Sequence, residues 1–473
     1  MRDRTAYPFR QAMKPRLDFL LNGERVSLTE ENPARTLLTW LRETRRLVGT
    51  KEGCAEGDCG ACTVVLADLD AAGKVRYQPV NACILCIGAV EGKEVITVEG
   101  LKSGHSLHPV QQTMVECHGS QCGFCTPGFV MAIYARYKSG SPSDLCDAIA
   151  GNLCRCTGYR PILDAATRAS GMASHEVEAS DDRARARRLA ELPRETVQLG
   201  GFLSPLSVPE LASYLVAHPQ ATILAGGTDA GLMITKQHRD LKEVAYIGRV
   251  AELKKVVRGK GAVEIGAAVT YAEAYEALAS IHPDIGELLR RLGAVQVRAA
   301  GTLGGNIANG SPIGDSMPVL LALDAMLVLQ KGDALREARL ARFYTGYRKN
   351  VLQPGEFIRA IRVPKLAPGA RFGAYKLTKR FDQDISAVCA AFHVDGAKAR
   401  FGFGGMAPTP ARARQAEAAY AKGLEAACAA LAADFSPISD QRASAWYRIR
   451  AAQALLRKFH AGVGPRALLE PMS

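Results

Sequence analysis

Eleven of the thirteen cysteines lie between Cys54 and Cys156, and no other feature of the chain narrows its fold so far. Eight of them form two spaced sets. Cys54, Cys59, Cys62 and Cys83 run C-x4-C-x2-C, with the fourth cysteine after twenty intervening residues. Cys122, Cys125, Cys154 and Cys156 run C-x2-C, a gap of 28, then C-x-C. The setting bears on what such thiols do. The first fifteen residues hold no apolar stretch of secretory type. The longest apolar run, 317–329, is shorter than a membrane span and contains Asp324. The expectation is a soluble cytoplasmic protein without membrane contact, and in a reducing compartment clustered cysteines bind metal more often than they form disulfides.

The first set has the spacing of a plant-type 2Fe–2S ferredoxin. Its flanks agree. Residues 17–28 (LDFLLNGERVSL) predict two strands joined at Asn22-Gly23, a two-residue hairpin signal. Residues 36–43 follow with helical spacing and a start at Thr36, and strand character resumes at Thr63. Hairpin, helix, cysteine loop and strand predict a β-grasp domain. Gly53, Gly57 and Gly60 alternate with the cysteines, permitting tight turns that aim backbone N–H groups at sulfur. The alternatives are a structural zinc site or buried thiols, but zinc usually takes paired C-x2-C knuckles. Cys86, three residues after Cys83, is expected to be a core thiol.

Around the second set the pattern turns helical. One helix is expected over 109–117, and a second from Thr126 as cap with Pro127 in its first turn. Ser143 is expected to cap a third, and Pro161 to open a fourth. GSQCGFCTPG and GNLCRCTGY then lie at helix junctions, which an antiparallel bundle brings to one end. Cys117 and Cys146, inside helices, are expected as apolar core positions.

These motifs carry a resemblance. GCAEGDCGACTV, NAC, QCGFCTPG and GNLCRCTGY match the iron–sulfur portion of the molybdenum hydroxylases, the xanthine oxidase family. The resemblance implies two 2Fe–2S centres, a ferredoxin-like one and a helical one facing a molybdopterin. By position, Gln121 inherits a place near that molybdopterin.

The formal charge of +13 comes with no nucleic-acid recognition motif and no basic stripe interleaved with aromatics, so no nucleic-acid partner is expected. Five arginines crowd into 181–194 (DDRARARRLAELPR), read as a solvated linker. Beyond it strands and helices alternate. Residues 221–235 (ATILAGGTDAGLMIT) read as strand, glycine turn and helix start, and 297–320 is dense in Gly, Ser, Thr and Asn. Neither has Rossmann G-x-G-x-x-G spacing. Both suit an anion nest of backbone N–H groups, with Thr228, Thr302, Asn306 and Ser311 offering hydrogen bonds. The plainer reading is ordinary turns, with Asp229 and Asp315 as helix caps.

LAGGTD and GTLGGNIANGSPIGD resemble the two FAD loops of the same family's flavin domain. The resemblance implies that Leu224, Ala225, Gly226, Gly227, Thr228, Asp229 and Ala230 wrap the pyrophosphate and ribityl chain. It adds Thr302, Gly304, Gly305, Asn306, Ser311 and Asp315, and, from YKLTKRFDQDISAV, Lys379 and Asp384. For the last two the plainer reading is a surface ion pair.

The expected fold class is α+β multidomain. It comprises a β-grasp 2Fe–2S ferredoxin domain at 15–100, a four-helix 2Fe–2S bundle at 101–172 and a linker at 173–195. A PCMH/VAO-type FAD domain at 196–367 and a C-terminal α+β flavoprotein domain at 370–473 follow. A final helix over 439–460 is expected to bury Trp446, Ile449, Leu455, Leu456 and Phe459, and Cys389 and Cys428 are expected to be buried.

No stretch matches the family's molybdopterin domains. The fused order of modules, as in the family's bacterial xanthine dehydrogenases, implies the smaller chain of a two-chain enzyme, a heterotetramer of two small and two large chains. Electrons from xanthine or hypoxanthine hydroxylation at the large chain's molybdenum would pass through both clusters to FAD and on to NAD+, with no catalytic residue on this chain. The alternatives are a related hydroxylase of aldehydes, N-heterocycles or carbon monoxide, a stand-alone iron–sulfur flavoprotein, or a zinc-binding interaction protein.

Overall fold

The computed structural model describes residues 13–140, 144–172 and 175–465. They form two compact units. The first takes the chain to Tyr214 with 220–249 and 294–301; the second takes 215–219, 250–293 and the chain from Thr302. The division falls inside the segment expected as one flavin domain and cuts the second glycine-rich stretch after Gly301.

In the first unit a five-stranded sheet runs in the order Glu24–Leu28, Leu17–Leu21, Glu94–Ile96, Thr63–Leu69, Val75–Asn81. Asn22 (φ 51°) and Gly23 (φ 88°) close the predicted hairpin, both in the left-handed region that its turn requires. Side chains alternate across a strand, so the sheet serves two cores. Leu17, Phe19, Val64 and Leu66 pack with Trp40 on one side; Leu20, Val65, Ala67 and Tyr77 pack with Phe129 and Ile133 of the helical region on the other. Thr36 caps the predicted helix by accepting from Thr39 N. That helix is brief: Leu37–Thr39 passes into a wider turn at Trp40–Thr44.

The helical region holds Pro109–Glu116, Thr126–Ser139, Leu145–Ile149 and Arg160–Ser170. His108 and Gln111 form a capping box on the first. Cys125, not Thr126, occupies the cap of the second. Ser143 lies outside the described residues; Asp144 caps the third by accepting from Cys146 N. Cys146 is exposed and Cys117 half-buried, so neither is the core position expected. Both sit near the ends of short helices, where little of the surface turns inward.

The arginine-rich stretch is also corrected. Most of it belongs to a helix, His175–Ala190, that packs beside the ferredoxin-type sheet. Arg185 donates to Glu94 Oε2 at 2.8 Å and to Tyr77 OH at 2.7 Å, while Leu189 and Leu192 are buried. Long charged side chains can lie along a sheet when their heads are paired, and such pairing leaves no mark in the spacing of apolar residues.

A second sheet in this unit orders Met13–Lys14, Thr196–Leu199, Phe202–Ser204, Val244–Tyr246, Thr222–Leu224. Thr222–Leu224 runs parallel to Val244–Tyr246 and delivers the first glycine loop at its C-terminal end.

The second unit has an antiparallel sheet ordered Val256–Arg258, Ala262–Gly266, Phe357–Pro364, Met326–Lys331, Ala334–Arg339. A further sheet, Arg371–Leu377, Val388–Asp395, Lys398–Gly404, Ala411–Arg412, packs on the helices Leu424–Asp434 and Ala445–His460. Ring centroids of Phe401, Phe403 and Phe459 lie 5.3, 5.6 and 5.2 Å from that of Phe392. Cys389 and Cys428 are buried, as expected. The last helix begins at Ala445, capped by Ser444, and Trp446 is 70% exposed. The buried stripe runs Arg448, Ala451, Ala452, Leu455, Leu456, Phe459, a 3.6-residue period that turns Trp446 outward. Its surprise is Arg448, 1% exposed, which donates to Ala387 O, Gly405 O and Asp440 Oδ1. No helix among the described residues is long and apolar enough to cross a membrane.

Candidate functional site

The first four cysteines converge from three segments of the ferredoxin-type domain. Cys54 and Cys59 lie in the glycine loop, Cys62 at the start of strand Thr63–Leu69, and Cys83 just after strand Val75–Asn81. Their sulfurs form one group. Hydrogen bonds from Cys59 and Cys83 hold the Cys54 thiol well below its ordinary range, and the bonds to Cys54 and Cys62 push Cys83 up. Three backbone N–H groups, of Glu56, Asp58 and Cys59, each lie 3.4 Å from Cys54 Sγ. That nest suits a sulfur carrying negative charge. Gly57 and Gly60 take positive φ, whereas Gly53 does not; a Cβ on Gly53 would stand 2.8 Å from Cys59 Sγ. Cys86 is 1% exposed, and burial alone pushes its thiol up to about 12.

The second set joins two helix entries. Cys122 and Cys125 precede Thr126–Ser139, and Cys154 and Cys156 precede Arg160–Ser170. Cys122 is hydrogen-bonded with Cys156, and Cys125 with Cys154, so the two junctions meet at one end of the bundle. Cys154 Sγ lies 3.2 Å from Thr157 Oγ1, and Cys154 N donates to Tyr159 OH at 3.0 Å. This set is shallower than the first: Cys122 and Cys156 are exposed, as is Gln121 beside them. Each set offers four thiols, the number and kind that would hold a 2Fe–2S core. Among the described residues no three His, Cys, Asp or Glu side chains gather about a single-ion centre.

The two cysteine loops touch. Leu153 N, one residue before Cys154, donates to Cys59 O at 3.0 Å. Asn152 Nδ2 donates to Gly60 O at 2.9 Å, and Gln296 Nε2 donates to Asn152 Oδ1 at 2.9 Å and Thr63 Oγ1 at 3.2 Å. A Cβ on Gly60 (φ 69°) would stand 2.2 Å from Gly151 O, so only glycine allows this approach. Asn152 sits inside the GNLCRC motif and was open to notice; Gln296 sits in a plain helix, and nothing in the sequence marks it.

In the first glycine loop Leu224 is buried, and the chain turns through Ala225, Gly226, Gly227 and Thr228 to Asp229, the cap position of helix Ala230–Thr235. Asp229 makes no side-chain capping bond. Gly226 lies so near the 300–301 backbone that a Cβ would stand 1.6 Å from Ala300 O. Only glycine permits this packing of one turn on the other.

In the second loop several side chains predicted to face a flavin are engaged within the protein. Thr302 caps helix Leu303–Asn309, its Oγ1 accepting from Gly305 N at 3.0 Å. Asn306 Oδ1 accepts from Tyr271 OH at 2.9 Å and Ser316 Oγ at 3.0 Å. Gly304 packs on Ala267, Gly305 is exposed, and Ser311 Oγ accepts from Ile313 N at 3.4 Å. Asp315 is buried with both oxygens occupied, Oδ2 by Lys376 Nζ and Oδ1 by Ser386 Oγ, each at 2.5 Å. Sequence reasoning missed Lys376, which stands in a strand that reads as apolar. Removing one partner of a buried ion pair costs about 3–5 kcal/mol. Lys376→Met is therefore expected to lower the unfolding free energy of the second unit by about that much, read by urea titration of its tryptophan and far-UV signals, while Lys376→Met with Asp315→Asn recovers part of it.

Asp384 closes its own turn, accepting from Lys379 N and Arg380 N at 2.9 Å each; Lys379 Nζ donates to Gln441 O at 2.9 Å. These two do not pair side chain to side chain, and the ion pair of Asp384 is with Arg380 at 3.7 Å.

Four family models match in chain order: a 2Fe-2S iron-sulfur cluster binding domain at 19–88, a [2Fe-2S] binding domain at 97–167, the FAD binding domain in molybdopterin dehydrogenase at 196–366, and the CO dehydrogenase flavoprotein C-terminal domain at 373–463. The chain is 35% identical to the xanthine dehydrogenase of Drosophila subobscura and to that of Emericella nidulans, over 83% and 85% of its own length. It spans about a third of the length of those curated relatives, 34% in each case. Among solved structures, a Cu,Mo-CO dehydrogenase chain superposes with a TM-score of 0.51 at 26% identity, over 54% of this chain and 94% of that one.

Proposed function

We propose a function from one premise: the chain belongs to the molybdenum hydroxylase family, whose iron–sulfur and FAD-binding portion it carries. In this reading it serves a xanthine dehydrogenase as the part that conveys electrons, from hydroxylation of xanthine or hypoxanthine at a molybdopterin held by a partner chain, to NAD+. When bound, two 2Fe–2S centres pass single electrons and FAD collects a pair for hydride transfer, chemistry that belongs to the cofactors.

The protein's share is placement. The hydrogen bond from Leu153 N to Cys59 O carries the argument, because it joins a residue adjoining one ligand set to a member of the other. Cys54, Cys59, Cys62 and Cys83 would hold the ferredoxin-like centre, and Cys122, Cys125, Cys154 and Cys156 the shallower one. Exposure of Cys122, Cys156 and Gln121 supports a partner seated on that end, with Gln121 facing the molybdopterin. Gly226 and its neighbours would take the flavin's pyrophosphate. By motif order the loop from Thr302 to Ser311 would add to the flavin contacts, with backbone groups more than with the Asp315 carboxylate. A heterotetramer of two such chains with two molybdenum chains, in the cytoplasm, fits this reading.

The test is to purify the chain with its molybdenum-bearing partner and follow NAD+ reduction. Xanthine is expected to drive it, and the chain alone is expected to be inactive with xanthine. Activity with aldehydes, N-heterocycles or carbon monoxide but not with xanthine would replace the substrate while keeping the electron-conveying role.

A further inference from the structure

We propose that Lys236 is a positioning residue that raises the reduction potential of the ferredoxin-like centre, an assignment that rests on the electron-conveying reading above. Lys236 caps the C-terminal end of helix Ala230–Thr235, the helix that grows out of the first flavin loop. Its Nζ donates to Cys54 O at 2.6 Å and lies 3.3 Å from Glu56 Oε2. Cys54 is also the sulfur with three backbone N–H groups aimed at it, one of them from Glu56 itself.

The same helix is seated on the other side of the centre. A Cβ on Gly231 would stand 2.3 Å from Ile84 O, and one on Gly227 would stand 2.9 Å from the same oxygen. Ile84 directly follows Cys83. The flavin-loop helix thus grips the cysteine loop at two points, beside Cys83 through backbone packing and at Cys54 through an ammonium group. Backbone packing needs no charge at position 236. A cation reaching across to a ligand residue's carbonyl has an electrostatic consequence as well as a mechanical one.

Reduction of a four-thiolate 2Fe–2S centre adds one electron and no proton, so it adds one negative charge to a site already ringed by thiolates. A nearby ammonium favours the reduced state, and a nearby carboxylate opposes it. Lys236 and Glu56 therefore pull in opposite directions. Their side chains are 44% and 47% exposed, so solvent screens both, and each effect is held to about threefold to tenfold in the one-electron equilibrium. A tenfold change is 59 mV for a one-electron couple.

The experiment is an EPR-monitored redox titration, with dithionite as reductant, of the full chain carrying its clusters and flavin. Lys236→Met is expected to make the ferredoxin-like signal harder to reduce by about threefold to tenfold. Glu56→Gln, which keeps the Glu56 N–H, is expected to make it easier by a similar factor, and Lys236→Arg to restore the parent value. The second centre's signal is expected to stay fixed in all three, as an internal reference. Any other pattern overturns the proposal, including unchanged potentials with a loosened fold, which would mark Lys236 as a tether only. The unsubstituted chain separates the two layers of the argument: lack of both EPR signals there would overturn the electron-conveying reading and this one with it.

Discussion

Cys83→Ser is expected to remove about two of about four irons per chain, and one of two EPR signals, whereas Cys86→Ala is expected to remove neither. The two cysteines stand three residues apart in one loop and are equally buried, at 2% and 1% exposure, so burial does not separate them. Their neighbours do. Cys83 Sγ shares hydrogen bonds with Cys54 and Cys62, while only burial acts on the Cys86 thiol. Stability should follow the same division. Cys62 and Cys83 belong to the core that holds Trp40 and Phe19, so an emptied ligand set leaves thiols facing each other inside the domain. Ligand binding is then folding energy for the ferredoxin-type domain. Cys156→Ser makes the contrast, because Cys156 is exposed at the mouth of the other set. It is expected to lose the other EPR signal and a similar share of iron with a smaller change in unfolding midpoint. Iron and sulfide analysis with EPR after dithionite reduction checks all three. Loss of a cluster in Cys86→Ala would reassign the fourth ligand.

What the sequence made legible is local. The Asn22-Gly23 hairpin, the Thr36 cap, the Pro127 and Pro161 helix starts and the two cysteine sets each depend on residues close in the chain, and each is found in the structure. What stayed hidden depends on a partner far along it. Arg185 reads as one more charge in an arginine-rich stretch until Glu94 and Tyr77 are brought beside it. Lys376 reads as a break in an apolar strand until Asp315 and Ser386 enclose it. Asp315, which its motif places at a flavin, is held by that lysine, because a buried carboxylate next to an ammonium is stabilised where it lies. Trp446 shows the complementary error. An aromatic side chain invites a core assignment, but helical phase, set by Arg448 and Leu455, decides which face turns inward. In the site itself the two cysteine sets that come together were written in the spacing. The groups that bring their loops together, Asn152, Gln296 and Lys236, act across 92, 233 and 182 positions of chain, and no spacing rule reaches that far.

Gly226→Ala is expected to strip flavin from the chain while leaving both iron–sulfur centres in place. The alanine Cβ would stand 1.6 Å from Ala300 O and 2.3 Å from Ala300 C, and both are backbone atoms with no rotamer to move aside. Either the loop after Leu224 or the 300–301 turn must shift, and the first of these belongs to the surface proposed for FAD. Overpacking of this kind costs about 1–3 kcal/mol. If that cost falls on the bound conformation of the loop, FAD is retained roughly 10- to 100-fold less tightly, since about 1.4 kcal/mol is tenfold. The three nearest atoms to a Cβ at Gly226 all belong to the 300–301 backbone, so iron and sulfide are expected to stay at about four of each. Gly261→Ala is the matched control: it lies in the same expected domain, and a Cβ there would meet nothing within 4 Å. It is expected to keep its flavin. The measurement is FAD released per chain after gel filtration, beside iron per chain. Full flavin in Gly226→Ala would move the pyrophosphate away from this loop, and loss of iron along with flavin would show that the change had disturbed the first unit as a whole.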